Sequence, residues 1–460
     1  MITFEHFDDV IEEVYRFNQD HVFEYWEQLN NEEKKSLLVQ LSGVDLDLMN
    51  RLFLQREGTS LPVIDFEPAE YVKYPETTED KERYRRARDV GIRYIKNENI
   101  AALLVAGGQG TRLGFKGPKG MFPIGPISNK TIFQIFAEKL LHYSEKYNVR
   151  IPWIIMTSRE NHNETVSFLK ENRYFGLNSD DVLFFSQNLI PSLDENGRLI
   201  LESRNSIFMN PDGHGGSLSA LSSSGVLDKM KNRGIETITC FQVDNPLVKI
   251  IDPAFIGFHI LYDSDVSSKA VKKTDPDEKV GLFVKFANGK TGVVEYSDMT
   301  TEKQNQKDDN GELKFCMGNI AIHLFKVTYI EEITSGSDIS LPYHTARKKI
   351  KAFDHESYKE INGVKFEKFI FDSIPLTQKS IIFETLREEE FAPVKNNRGI
   401  DSPDSAREQM SNLHKKWLIS RNIELPKEID IIEISPLIAV EPDDLHENIS
   451  IQVSKKVYLG

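Results

Sequence analysis

Apolar positions recur at helical spacing through the first sixty or so residues. Phe7, Val10, Ile11, Val14 and Phe17 form one stripe, Leu37, Leu38 and Leu41 a second, and Leu48, Leu52 and Phe53 a third. Steps of three and four predict short amphipathic helices. Asn31, followed by Glu33 and Lys34, predicts the start of one of them. Residues 61–96 carry Pro62, Pro68 and Pro75 among many charges, and predict an extended linker leading into a helix through KERYRRARDVGIRYIKNENI. Then the pattern changes. Residues 100–105 are a continuous apolar run bounded by glycine, as expected of a strand buried on both faces. Helical spacing returns over 131–147, with Ile132, Ile135, Phe136, Leu140, Leu141 and Tyr143. PWIIM (152–156) predicts a second buried strand, and TITCFQV (237–243) a third that ends in Asp244. Strands separated by helices predict a mostly parallel α/β sheet, and such sheets bind ligands beyond the carboxyl ends of their strands. Near 280–300, VGLFVKFANGKTGVVEYSD predicts a hairpin turning at Asn288-Gly289. EKQNQKDDNGE (302–312) predicts a polar surface loop. From about 425, short strands are broken by Pro426, Pro436 and Pro442.

Length turns these elements into domains. At 460 residues the chain is long enough for two or three domains of roughly 100–200 residues each. The pattern divides it into a helical N-terminal region (1–95), a central α/β domain (96–380) and a small β-rich C-terminal lobe (381–460). Charge narrows the partners. With 57 basic and 71 acidic residues the formal net charge is −14, which argues against general nucleic-acid binding but leaves room for a local basic site. Cys240 and Cys316 form no CxxC pair, so neither a zinc site nor a disulfide framework is indicated; two buried thiols in a reducing cytosol are expected. MITFEHFDDVIEE lacks the basic-then-apolar pattern of a signal peptide. No run approaches the ~18 apolar residues of a membrane span. A cytoplasmic protein without membrane contact is the expectation.

The chemistry concentrates in LLVAGGQGTRLGFKGPKG (103–120). Six of the chain's 27 glycines lie between Gly107 and Gly120, around Arg112, Lys116 and Lys119. Bare backbone lets consecutive N–H groups approach anionic oxygens closely, so a phosphate ligand is expected. The dinucleotide pattern G-x-G-x-x-G fails, because Leu113 stands where the third glycine belongs, and no window supplies the P-loop pattern.

G-x-G-T-R-[LM]-G followed by P-K resembles the signature of the sugar-nucleotide pyrophosphorylases. The form here, LLVAGGQGTRLGFKGPKGMFPIG, is similar to the eukaryotic-type UDP-N-acetylhexosamine pyrophosphorylase branch. FFSQNLIPSL, NPDGHGGSLSAL, FQVDNPLVKIIDPAFIGF, TGVVEYSD, MGNIAIH, YHTARKKI, KFEKFIFDSI, ETLREEEFAPVKN and IEISPLI follow in that branch's order, covering roughly residues 20 to 440.

The resemblance implies a Rossmann-like nucleotidyltransferase domain with a mixed, mostly parallel sheet. It implies Mg²⁺-dependent transfer of uridylate from UTP to N-acetylglucosamine 1-phosphate, by in-line attack of the sugar phosphate on the α-phosphorus. A glucose 1-phosphate or broad UDP-sugar enzyme is the alternative. By the same resemblance Gly107, Gly108, Gly110 and Thr111 hold the nucleotide, and Arg112 and Lys119 face the triphosphate. Gln187 and Gly215 read the uracil, Asp244 holds nucleotide and Mg²⁺, and Asp372 is a weaker second metal candidate. Gly281, Glu295 and Asn319 contact the sugar. Lys379 reaches the phosphates from the far side, and Lys395 is a similar candidate. His344 and Arg347 follow the pattern without assigned chemistry. Two positions depart from it: His214 replaces an asparagine in PDGHGG, and Gln378 replaces a lysine before Lys379.

Overall fold

The computed structural model describes residues 2–56, 65–273, 275–336, 340–355, 357–446, 449 and 451–460; the part of the expected linker around Pro62 lies outside them. The described chain divides into two compact units. One comprises residues 1–64, 187–217 and 341–372, the other 65–186, 218–340 and 373–460.

In the first unit the N-terminal stripes become helices Asp8–Arg16, Asn31–Ser42 and Leu46–Gln55. The cap of the second is Asn30, one residue earlier than expected. Its Oδ1 accepts the Glu33 N–H at 3.0 Å, and the Glu33 carboxylate accepts the Asn30 N–H at 2.9 Å. This reciprocal pair satisfies two amides that the first helical turn leaves open. The third helix buries Leu46 and Met49 and leaves Leu48 only half-buried. These helices do not form a region of their own. Leu37, Leu38 and Leu41 share a core with Leu193, Ile207, Val364 and Phe366, on strands that arrive from two later stretches of chain. The longest of these, His344–Asp354 and Ser357–Glu367, pair antiparallel, and the second also pairs with Leu193–Asp194. The compact unit therefore does not end near 95, because the helices pack on one another and also on strands supplied by residues near 193–207 and 364–366.

The second unit is built on a ten-stranded sheet: β1 (Phe66–Pro68), β2 (Ile100–Val105), β3 (Trp153–Thr157), β4 (Val182–Ser186), β5 (Thr237–Gln242), β6 (Val266–Lys272), β7 (Leu282–Phe286), β8 (Thr291–Val294), β9 (Met317–Lys326) and β10 (Ser380–Glu384). Strands β4, β3, β2 and β5 lie side by side and parallel. Strand β9 runs antiparallel to β5 and to β6, and β6 pairs parallel with β10. So β2, β3, β4, β5, β6 and β10 all point one way. The three sequence-predicted parallel strands are β2, β3 and β5, and every residue of β3 is buried. The hairpin is β7–β8, with Gly289 at φ +80° in its turn. Pro68 sits at the end of an edge strand, which among the described residues pairs with β7 alone, a position where proline is tolerated.

Residues 381–460 carry the end of β10, the two-stranded parallel pair Ile431–Ile434 and Lys456–Leu459, and an 18-residue helix, Pro403–Ser420. They do not stand apart as a lobe. Met410, Leu413, Trp417, Ile432 and Ile434 join the core that contains Phe136, Trp153 and Phe241, and the Glu433 carboxylate accepts the N–H groups of Ile127 and Ser128 at 2.6 and 2.7 Å. Cys240 is buried, whereas Cys316 is only half-buried; both are free thiols. Among the described residues no helix is long and apolar enough to cross a membrane.

Candidate functional site

The glycine loop leaves the carboxyl end of β2 and folds back on itself. Gly110 donates to the Gly117 carbonyl at 2.9 Å, Phe115 to the Gly110 carbonyl at 3.1 Å and Lys119 to the Gly108 carbonyl at 3.1 Å. Its glycines have different reasons to be glycine. Gly114 and Gly117 take φ of +72° and +127°, open to glycine without strain. At Gly110 and Gly120 a Cβ would collide with the rings of Phe115 and Phe133. Gly108 has neither constraint: a Cβ there would meet nothing within 4 Å. The space above Gly108 is open.

Asn161, fully buried at the carboxyl end of β3, holds the base of the loop. Its Nδ2 donates to the Ala106 carbonyl at 2.9 Å, and its Oδ1 accepts the Ser158 N–H at 2.8 Å. Sequence reading missed this residue; its position four residues past an apolar strand was the available signal.

Around the loop lie Arg112, Lys119, Asp244 and Lys395. Thr111 and Arg112 are exposed, and Lys119 is half-buried with its Nζ donating to the Val394 carbonyl at 3.3 Å. Burial holds the Lys119 ammonium below its ordinary value, Arg112 and Lys395 push the same way, and Asp244 opposes them. Among the described residues no donor satisfies the half-buried Asp244 carboxylate, so it is a hard oxygen ligand in reserve, beside cations that would receive phosphates. Such a set fits Mg²⁺, which takes one or two carboxylates and completes its shell with water and phosphate oxygens. No cluster of three or more His, Cys, Asp or Glu side chains forms among the described residues.

Gly281, Glu295 and Asn319 come together at the same edge of the sheet, because β9 runs antiparallel and so begins where β5 ends. Asn319 N–H donates to the Gly281 carbonyl at 2.8 Å, and the Glu295 carboxylate lies 3.1 Å from where a Gly281 Cβ would stand.

Lys379 does not join them. It directly precedes β10, which runs with β2 and β5, and so lies at the opposite edge of the sheet from the glycine loop. Its Nζ pairs with Asp263 at 2.7 Å, a carboxylate also engaged by Lys326. The lysine beside the loop is Lys395, beyond the other end of the same strand.

Gln187 and Gly215 belong to the first unit. Gln187 is half-buried just past β4. Gly215 N–H donates to the Lys368 carbonyl at 2.9 Å, and a Cβ on Gly215 would stand 2.7 Å from the Lys368 and Phe369 backbone. His214 packs its ring on Phe369, 5.4 Å between centroids, and its Nδ1 accepts the Ile370 N–H at 3.2 Å. Burial lowers it to about 4, so it is a neutral packing group at pH 7. Asp372, the weaker metal candidate, bonds His344 Nε2 at 2.8 Å.

A glycine loop open at Gly108, two lysines, an arginine and an aspartate meet at the carboxyl ends of the parallel strands of this mixed sheet, an arrangement that fits an α/β nucleotide-handling protein. The chain belongs to the UTP–glucose-1-phosphate uridylyltransferase family, whose model matches residues 54–429. It is similar to UDP-N-acetylglucosamine diphosphorylase 2 of Arabidopsis thaliana, at 36% identity over 95% of this chain and 90% of that protein. It is also similar to a probable UDP-N-acetylglucosamine pyrophosphorylase of Dictyostelium discoideum, at 35% identity over 95% of each. The crystal structure of the uridine diphosphate N-acetylglucosamine pyrophosphorylase of Trypanosoma brucei superposes with a TM-score of 0.86 at 29% identity, covering 100% of this chain and 99% of that one.

Proposed function

We propose that this protein transfers uridylate from UTP to N-acetylglucosamine 1-phosphate, forming UDP-N-acetylglucosamine and pyrophosphate. The observation that carries the reading is the convergence of Arg112, Lys119, Asp244 and Lys395 on a glycine loop with open space above Gly108. The reaction brings two anions together and spreads negative charge over the α-phosphate and the departing pyrophosphate. No covalent intermediate on the protein is required. Positioning and electrostatic stabilisation therefore supply the catalysis, and this site offers both.

The proposed roles combine this geometry with the family resemblance. The backbone amides of Gly107, Gly108 and Thr111 meet phosphate oxygens, while the Gly110 N–H stays on the Gly117 carbonyl and holds the loop's shape. Lys119 and Arg112 neutralise the triphosphate, and Lys119, partly desolvated, interacts with phosphate more strongly than an exposed lysine would. Lys395 adds a third cation. Asp244 is the residue that would hold Mg²⁺, which when bound neutralises phosphate charge. Gly281, Glu295 and Asn319 supply a carbonyl, a carboxylate and an amide for sugar hydroxyls and the acetamide. Gln187, whose amide both donates and accepts, and Gly215 are the residues proposed to read uracil. The cell's cytoplasm is the proposed location.

A UDP-glucose activity is the second reading, favoured by the family's own description. The relatives that match over nearly the whole chain favour the N-acetyl sugar. The experiment is pyrophosphate release from UTP with each sugar 1-phosphate in turn: release with either supports transfer, and release with neither refutes it.

A further inference from the structure

We infer that Asn245 is a positioning residue, which sets Lys395 against Lys119 and Asp244; this rests on the uridylyl-transfer reading. Asn245 follows Asp244 directly, is 4% exposed and turns its amide to protein partners. Its side chain makes two bonds to one later stretch of chain. Nδ2 donates to the Glu390 carbonyl at 2.6 Å, and Oδ1 accepts the Ala392 N–H at 3.1 Å. Two residues further on, the Val394 N–H donates to the Asp244 carbonyl at 2.7 Å. Alternate residues 390, 392 and 394 are thus held as a strand would hold them, with an asparagine amide standing in for one backbone pair. Lys119 closes the arrangement on the Val394 carbonyl at 3.3 Å, and Lys395 is the next residue.

The same stretch is anchored from beneath. Glu390, 1% exposed, receives Lys269 at 2.6 and 2.7 Å and the Thr385 hydroxyl at 2.8 Å, and Lys269 also pairs with Asp252 at 2.6 Å. This ionic anchor fixes the start of the stretch. The asparagine carries that order to its end, where the catalytic cation leaves the backbone. Without the amide, the Glu390 carbonyl and Ala392 N–H lose their partners in a buried setting, and residues 392–395 lose their register. A displacement of about 1 Å at a charged group facing the reacting phosphates costs on the order of 10²-fold.

A double-mutant cycle tests this. Wild type, Asn245→Ala, Lys395→Ala and the double variant are compared for kcat/KM and, by calorimetry, for UTP binding, with thermal melting as a check of folding. If Asn245 acts through Lys395, Asn245→Ala lowers kcat/KM about 10-fold or more in the wild-type background and less than about 2-fold once Lys395 is gone. Equal losses in both backgrounds, or no loss in the first, overturn the inference. Should Asn245→Ala fail to fold, Asn245→Ser runs the same cycle. The binding arm needs no turnover. Absence of pyrophosphate release by the wild type would refute the transfer reading, while additive effects on UTP binding would refute the positioning role.

Discussion

The Asp244 carbonyl accepts the Val394 N–H at 2.7 Å, which ties the acidic end of β5 to the segment that delivers Lys395. Two residues 150 positions apart thereby share one place at the carboxyl edge of the sheet, beside Lys119. The pairing places Lys395, and not Lys379, beside Lys119 and Asp244, and the next two predictions test what that arrangement does.

Replacing Lys119 by alanine removes a half-buried cation at the glycine loop. Turnover falls on the order of 10²-fold or more, with folding retained. A Lys119→Ala protein with full turnover would remove this residue from the chemistry.

Lys379 and Lys395 separate cleanly. Lys395→Ala lowers kcat/KM about 10²-fold. Lys379→Ala, which breaks an exposed pair with Asp263, changes activity less than about 2-fold, because surface ion pairs contribute little. Steady-state kinetics on the two variants checks this. The opposite ranking would mean that the opposite edge of the sheet holds the phosphates.

Much of the site was legible because its residues sit beside apolar strands. Gly107 to Lys119 follow β2 and Asp244 follows β5, so a strand-end rule finds them with no tertiary information. Lys379 and Lys395 could not be ranked this way. They flank the same short strand, and its direction is set by pairing Val266 with Ser380 across more than a hundred residues, a contact with no local trace. The N-terminal helices failed as a separate region for a related reason: their apolar stripe was visible, but the strands that cover it lie near 193–207 and 364–366. Asn245 carried no signal at all, since a neutral amide within VDNP looks like any turn residue.

On the proposed reading, the absence of a side chain at Gly281 keeps Glu295 in place for the sugar. A Cβ there would stand 2.8 Å from Val293 Cγ1 and 3.1 Å from Glu295 Oε1, so Gly281→Ala displaces the carboxylate. The KM for sugar 1-phosphate rises about 10-fold or more, while the KM for UTP stays within about 2-fold. Equal increases in both would place Gly281 outside the sugar pocket.

Stability falls on acidification through the histidine range. Burial lowers His214 to about 4, His259 to about 3 and His414 to about 4. Between these values and the ordinary 6.5, the unfolded chain binds more protons than the folded one. The contribution is complete above pH 6.5 and is lost as pH falls towards 4. Asp212, pushed up to about 6 by burial, and Asp401, also raised by burial, work in the opposite direction, but two carboxyls face three imidazoles. Melting temperatures measured from pH 7.5 to 4.5 fall steadily; a flat or rising curve would contradict the burial of these rings.

The most direct test is pyrophosphate release from UTP in the presence of Mg²⁺, with N-acetylglucosamine 1-phosphate and glucose 1-phosphate compared side by side. The account predicts rapid release with the N-acetyl sugar and distinctly slower release with glucose 1-phosphate. Preference for glucose 1-phosphate would overturn the assigned sugar, and no release with either would contradict uridylyl transfer itself.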